Sequence, residues 1–207
     1  MIKKIKQMIS PEEEKKIIII DSAAAGASPA EPDMRIVGLF ADVNEEKIAE
    51  VIHNVLFFNA INVESEADQK RPITFYLSTY GGNADDMFAM YDIMRNVRST
   101  TEIHTVGLGK VMSAGVLLLA AGTKGERRVG KNCRIMIHSV MGGNHGALHN
   151  MMNEMEAIEQ LQDMYCDALI SETKLTRTKL KKMLERKVNV YLSAEEAVEL
   201  GIADEII

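Results

Sequence analysis

Between Arg35 and Ile137 the chain alternates short runs of strand formers with longer stretches of helical periodicity, an alternation that few architectures accommodate. Arg35 to Phe40 reads as a strand. Asn44 opens a helix predicted to run through Ala60, because Ile48, Val51, Ile52, Val55 and Leu56 recur at helical spacing. Glu64 to Arg71 is a polar loop, Ile73 to Leu77 a strand, Gly81-Gly82 a tight turn and Ala84 to Val97 a Met-rich helix. Glu102 to Leu108 and Arg134 to Ile137 are further strands. Strands separated by helices pair in parallel, so the pattern predicts an α/β fold with a mainly parallel sheet and helices packed on it. Farther along, Leu148, Met151, Met152, Met155, Ile158, Leu161, Tyr165, Ala168 and Leu169 form one stripe, with Glu154, Glu156, Glu159 and Asp163 off it. A helix of about 23 residues would be ~35 Å long at the usual rise, and its stripe needs a partner.

The 207 residues suit one domain with an appended arm. Residues 22–33, rich in Ala, Ser, Gly and Pro, read as a linker between the arm 1–33 and a body of residues 34–207. Ile17 to Ile20 is β-prone but too short for a secretory apolar region and follows Glu12-Glu13-Glu14. No stretch approaches the ~20 apolar residues that span a bilayer. A net charge of −6 and a pI near 5.5 argue against nucleic-acid binding, which calls for a basic face. Cys133 and Cys166 form no CxxC pair and read as small core residues, so the expected compartment is a reducing cytoplasm. His145 and His149 are four apart, but with no third ligand nearby no metal is expected. The chain carries no phosphate-binding G-x-x-x-x-G-K-[ST] motif, and no cofactor is expected.

Ser113 lies in Gly109-Lys110-Val111-Met112-Ser113-Ala114-Gly115, ahead of the apolar run Val116 to Ala121. Small residues at a helix start leave backbone N–H groups free to hold a developing oxyanion. His138 ends the apolar run Cys133 to Ile137, where a sheet delivers side chains into a cleft. The two read as nucleophile and general base. The alternative is a helix N-cap serine and a satisfied core histidine, and these two residues alone leave both open.

Four segments occur in order: Leu77-Ser78-Thr79-Tyr80-Gly81-Gly82, Gly109 to Ala121, Arg134 to Gly143, and Tyr191 to Gly201. From Met34 to Ile207 this arrangement resembles the proteolytic subunit of the ATP-dependent Clp protease, the ClpP family. The resemblance implies a crotonase-like fold and a serine endopeptidase acting inside a homo-oligomeric barrel of two stacked seven-membered rings. It further implies polypeptide substrates delivered by a hexameric Clp-type ATPase partner, no membrane or nucleic-acid partner, and a long handle helix interlocking the rings, the place taken here by the 148–170 stripe. The arm before the linker would lie at the axial entrance.

The resemblance also assigns roles. The oxyanion hole maps to the backbone amides of Gly82 and Ala114, next to Ser113 as nucleophile and His138 as base. The family's Asn-Ser-Pro before the glycine pair is Ser78-Thr79-Tyr80 here, which removes the proline's restraint. The triad aspartate, four residues before the serine of the Leu-Ser-Ala motif, maps to Asn189. An asparagine can orient His138 through its amide oxygen but gives the imidazolium less help. The corresponding alternative is a catalytically weak or silent barrel subunit. An acyl-CoA hydratase or isomerase of the same fold would explain the glycines but not the Ser113–His138 pair. Gly142-Gly143 are assigned to the strand region where the family docks extended peptides, and Tyr76 to its partner-docking groove.

Overall fold

Side-chain periodicity and pairing partners together set the sheet in the computed structural model, which describes residues 34–143, 145–185 and 189–207. The arm, including the linker, therefore lies outside the described residues. Strands β1 (Ile36–Leu39), β2 (Ile73–Thr79), β3 (Ile103–Met112), β4 (Arg127–Val129) and β7 (Glu205–Ile206) pair in parallel in the order β1-β2-β3-β4-β7. Strand β5 (Arg134–Ile137) joins β3 in parallel, and β6 (Val190–Leu192) is antiparallel to β5. The described α-helices are α1 (Glu45–Glu64), α2 (Ala84–Val97), α3 (Ala114–Ala120), α4 (Leu148–Glu172), α5 (Arg177–Glu185) and α6 (Ala194–Glu199). The expected mainly parallel α/β architecture is what forms.

β3 forks. Its first half, Thr105–Gly107, pairs with β4, and its second half, Lys110–Met112, pairs with β5. Between the halves the β2–β3 register slips: Leu77 faces Gly107 and Thr79 faces Val111, so Ser78 alone opposes three residues. Gly109, at φ 66°, supplies the left-handed residue this bulge requires. The bulge carries β3 past its expected end at Leu108 and releases the chain at Ser113, over the buried helix α3.

Helix starts follow their caps. The Asn44 side chain accepts from the Lys47 N–H at 3.0 Å, and Asn83 accepts from the Asp85 and Asp86 amides at 2.8 and 3.0 Å. Ser193 and Glu196 form a reciprocal capping box at α6. α1 runs four residues past its expected end, into the stretch expected as loop. There Asn62 is fully buried, donating to Thr101 Oγ1 at 3.0 Å and to the Arg71 carbonyl at 2.8 Å. Cys133 and Cys166 are free and buried, as expected of core residues.

α4 divides in two. Its C-terminal half buries Tyr165, Ala168 and Leu169 in the core, while Leu148, Met151, Met152 and Met155 at its N-terminal half are exposed. A stripe continuous in sequence is thus only half used within the chain. No described helix is long and apolar enough to cross a membrane.

At the C-terminal end of α4, Glu172 is buried with cations around it. It accepts from Arg98 Nη2 at 2.7 Å, pairs with Lys124 Nζ at 2.9 Å and accepts from the Tyr91 hydroxyl at 3.2 Å. Burial pushes its carboxyl up, but the bonds from Arg98 and Lys124 outweigh it and hold the group at about 2. Asp204 is likewise held at about 2, where burial is outweighed by hydrogen bonds and charge from Arg127. A depressed folded-state pKa contributes stability that is fully present above the ordinary carboxylate range, near pH 4.5, and lost as pH falls toward 2. Urea unfolding at successive pH values should therefore show a steep loss of stability between about pH 5 and 2. Glu172→Gln should lower stability at pH 7 by about 3 kcal/mol and flatten that loss. An unchanged pH slope in the variant would refute the assignment.

Candidate active site

β2 ends at Thr79 and the chain turns at once through Gly81 and Gly82, whose φ angles are 97° and 152°. Both positions require glycine. A Cβ on Gly82 would lie 2.1 Å from the Val43 carbonyl oxygen, and one on Gly81 would lie 2.6 Å from the Ser113 Cβ. The turn is pinned from behind, with the Val43 N–H donating to the Gly81 carbonyl at 2.8 Å and the Asn83 N–H to the Val43 carbonyl at 2.9 Å. Tyr80, in the family's proline position, carries the Lys110 ammonium 4.6 Å over its ring, which ties the turn to the β3 bulge.

Ser113 joins β3 to α3 at φ 54° and ψ −123°, the one non-glycine residue with positive φ among the described residues. Such a conformation costs on the order of 1–3 kcal/mol and persists only where surroundings enforce it. Its N–H donates to the Met136 carbonyl at 2.8 Å, and its carbonyl accepts from the Val116 N–H at 3.0 Å and the Tyr165 hydroxyl at 3.1 Å. The serine stands at the N-cap position of α3, yet its hydroxyl makes no capping bond. The capping alternative left open by the sequence does not hold. The Gly82 and Ala114 N–H groups donate to no protein acceptor among the described residues.

His138 follows β5 directly and is half-exposed. Ser113, Ala114, Gly82 and His138 line one cleft of about 490 Å³, with Met87, Met141 and Leu161 among its apolar walls and Asp42 and Asp85 as its carboxylates. Among the described residues no hydrogen bond yet joins Ser113 to His138, a common state before a substrate is bound. Asn189 is exposed and does not line the cleft. The β5–β6 register pairs Ile135 with Leu192, Met136 with Tyr191 and Ile137 with Val190, and the next residues on the two chains are His138 and Asn189.

Gly142 is exposed and faces Ile158 of α4, whose Cδ1 a Cβ there would approach to 2.4 Å. Asp85 and Asp86 sit in the first turn of α2. Among the described residues no group of three or more His, Cys, Asp or Glu is placed to hold a metal. Tyr76 is half-buried on β2. Sequence reasoning missed Tyr165 as a site residue, because its place in the apolar stripe of α4 accounts for it without any use of the hydroxyl.

A family model of Clp protease matches residues 32–207, all of the described strands and helices. The match spans both glycines of the turn, Ser113, His138 and the α4 stripe, so the cleft and the family agreement concern the same residues. The chain belongs to the Clp protease family.

Proposed function

We propose that the protein is a serine endopeptidase subunit of a self-compartmentalised barrel with a crotonase-like fold. In this reading Ser113 Oγ attacks the peptide carbonyl, His138 takes its proton and later returns it to the leaving amine, and the Gly82 and Ala114 N–H groups hold the oxyanion. The carrying observation is the strained Ser113, whose hydroxyl makes no capping bond, in one cleft with two backbone amides that have no protein acceptor among the described residues. A strained nucleophile at a strand-to-helix junction is the arrangement by which a hydroxyl is presented to substrate. Two stacked heptameric rings, fed with unfolded polypeptide by a Clp-type ATPase hexamer, are the assembly that goes with this family. The exposed apolar half of α4 supports a helix that packs against a second ring. Exposed Leu56, Phe57, Ile61 and Val63 on α1 supply further apolar surface for contacts between subunits. Fluorophosphonate treatment of the purified protein should label Ser113 stoichiometrically; an unlabelled protein would sink the enzyme reading.

The second reading, a weak or silent barrel subunit, is motivated by Asn189. His138 and Asn189 are the next residues after the last β5–β6 pair, Ile137 with Val190, a position that supports an interaction between them. From there an amide oxygen can accept the Nδ1–H of the imidazole and fix the ring, while contributing no negative charge. Asn189→Asp should then raise small-peptide turnover by about tenfold or more at neutral pH, and Asn189→Ala should lower it by a similar factor. Peptidase kinetics at matched assembly state check both. Equal rates for wild type and Asn189→Ala would place residue 189 outside the catalytic apparatus.

A further inference from the structure

Tyr165 sits two-thirds of the way along α4 with 4% of its surface exposed, yet its hydroxyl reaches out of the apolar stripe to the Ser113 carbonyl at 3.1 Å. That carbonyl is one end of the peptide unit that joins Ser113 to Ala114. A trans peptide is planar, with its C=O and N–H pointing in opposite directions, so a bond that fixes the carbonyl also fixes the Ala114 N–H. We propose that Tyr165 is a positioning residue that aims the Ala114 N–H into the oxyanion hole by holding the carbonyl of the same peptide. The proposal rests on the serine peptidase reading given above.

Three observations carry it. Ser113 occupies a backbone region that L-residues avoid, so its peptide needs outside restraint. The other restraints on Ser113 are backbone bonds, from its N–H to Met136 and from the Val116 N–H to its carbonyl. The Val116 bond belongs to the first turn of α3 and moves with it, whereas Tyr165 comes from α4 and anchors the peptide to a second element. The phenol is also chemically suited to the task. Burial raises its pKa above the ordinary tyrosine value, which keeps it a neutral donor throughout the working pH range. The same residue lines the cleft, one helical turn beyond Leu161, so the anchor stands at the wall of the site rather than behind it.

Removing the hydroxyl with Tyr165→Phe keeps the buried ring and leaves the Ser113 carbonyl its bond to Val116, so folding should be preserved. Loss of a whole oxyanion donor costs ~100- to 1000-fold in turnover, and misaiming one donor should cost about tenfold. The expected result is a kcat about tenfold lower with KM unchanged, and a matching loss of affinity for a peptide boronate, whose tetrahedral oxygen occupies the hole. Binding of a non-cleavable substrate-like peptide should stay the same. A merely structural tyrosine would change the melting temperature without separating boronate affinity from peptide affinity. Tyr165→Met, which fills the volume without a ring or hydroxyl, should reproduce the kcat loss. If wild type is labelled by a fluorophosphonate and Tyr165→Phe matches it in kcat and boronate affinity, this proposal alone fails. If wild type is not labelled, the peptidase reading and the catalytic role of Tyr165 fail together.

Discussion

Ser113→Ala should abolish fluorophosphonate labelling and lower peptide turnover by about a millionfold, the scale on which nucleophile removal acts in other serine hydrolases. Assembly and stability should stay within about 0.5 kcal/mol of wild type, because alanine keeps the Cβ, and the hydroxyl caps nothing. Ser113→Gly makes the complementary point. Glycine adopts φ 54° without steric cost, so this variant should be equally inactive but more stable by about 1 kcal/mol. Denaturant melts and single-turnover kinetics on the three proteins check the pair of outcomes. A Ser113→Gly protein less stable than wild type would show that the backbone there is not strained, and persistent labelling in either variant would move the nucleophile elsewhere.

Met152→Glu combined with Met155→Glu should break the proposed barrel without unfolding its subunit. Both side chains are 59% exposed on the chain itself, so carboxylates there meet water and cost little in an isolated subunit. Where two copies of α4 pack through this stripe, each carboxylate must be desolvated without a partner, at a cost of several kcal/mol. In the proposed double ring the contact is repeated around the axis, so the cost is multiplied and the shift should be all-or-none. Sedimentation velocity should find single rings or smaller species with a far-UV circular dichroism spectrum like that of wild type. An intact double ring in the variant would return the stripe to ordinary surface. Turnover should fall with assembly, since Tyr165 and Leu161, on the same helix, line the cleft.

Much of the fold was legible locally. α2 begins at Ala84 and ends at Val97 as read, with Asn83 capping its start, and β5 spans Arg134–Ile137 as read. These elements carry their own signals: a cap, a complete apolar face, or a β-branched run. Elements missed or misjudged lack them. β4 and β7, of three and two residues, exist because β3 and one another supply their partners. α1 outruns its apolar pattern because the buried Asn62 finds hydrogen-bond partners at Arg71 and Thr101, the second of them 39 residues away. β3 outruns its expected end at Leu108 because Gly109 turns the strand through its bulge.

The sequence by itself determined the alternation of strands and helices, the glycine turn, the serine and the histidine, and the family they belong to, because each is a matter of residue type at fixed local spacing. Only the tertiary structure decided how Ser113 is held. Its positive φ, the packing of Gly81 against its Cβ, and the Tyr165 bond to its carbonyl join residues 32 and 52 positions away, and no local pattern encodes them. The same holds for α4, whose stripe is uniform as a sequence but divides at about Ile158 into an exposed half and a core half. Where a stripe is buried depends on the surfaces that surround it, and those are set by the whole chain.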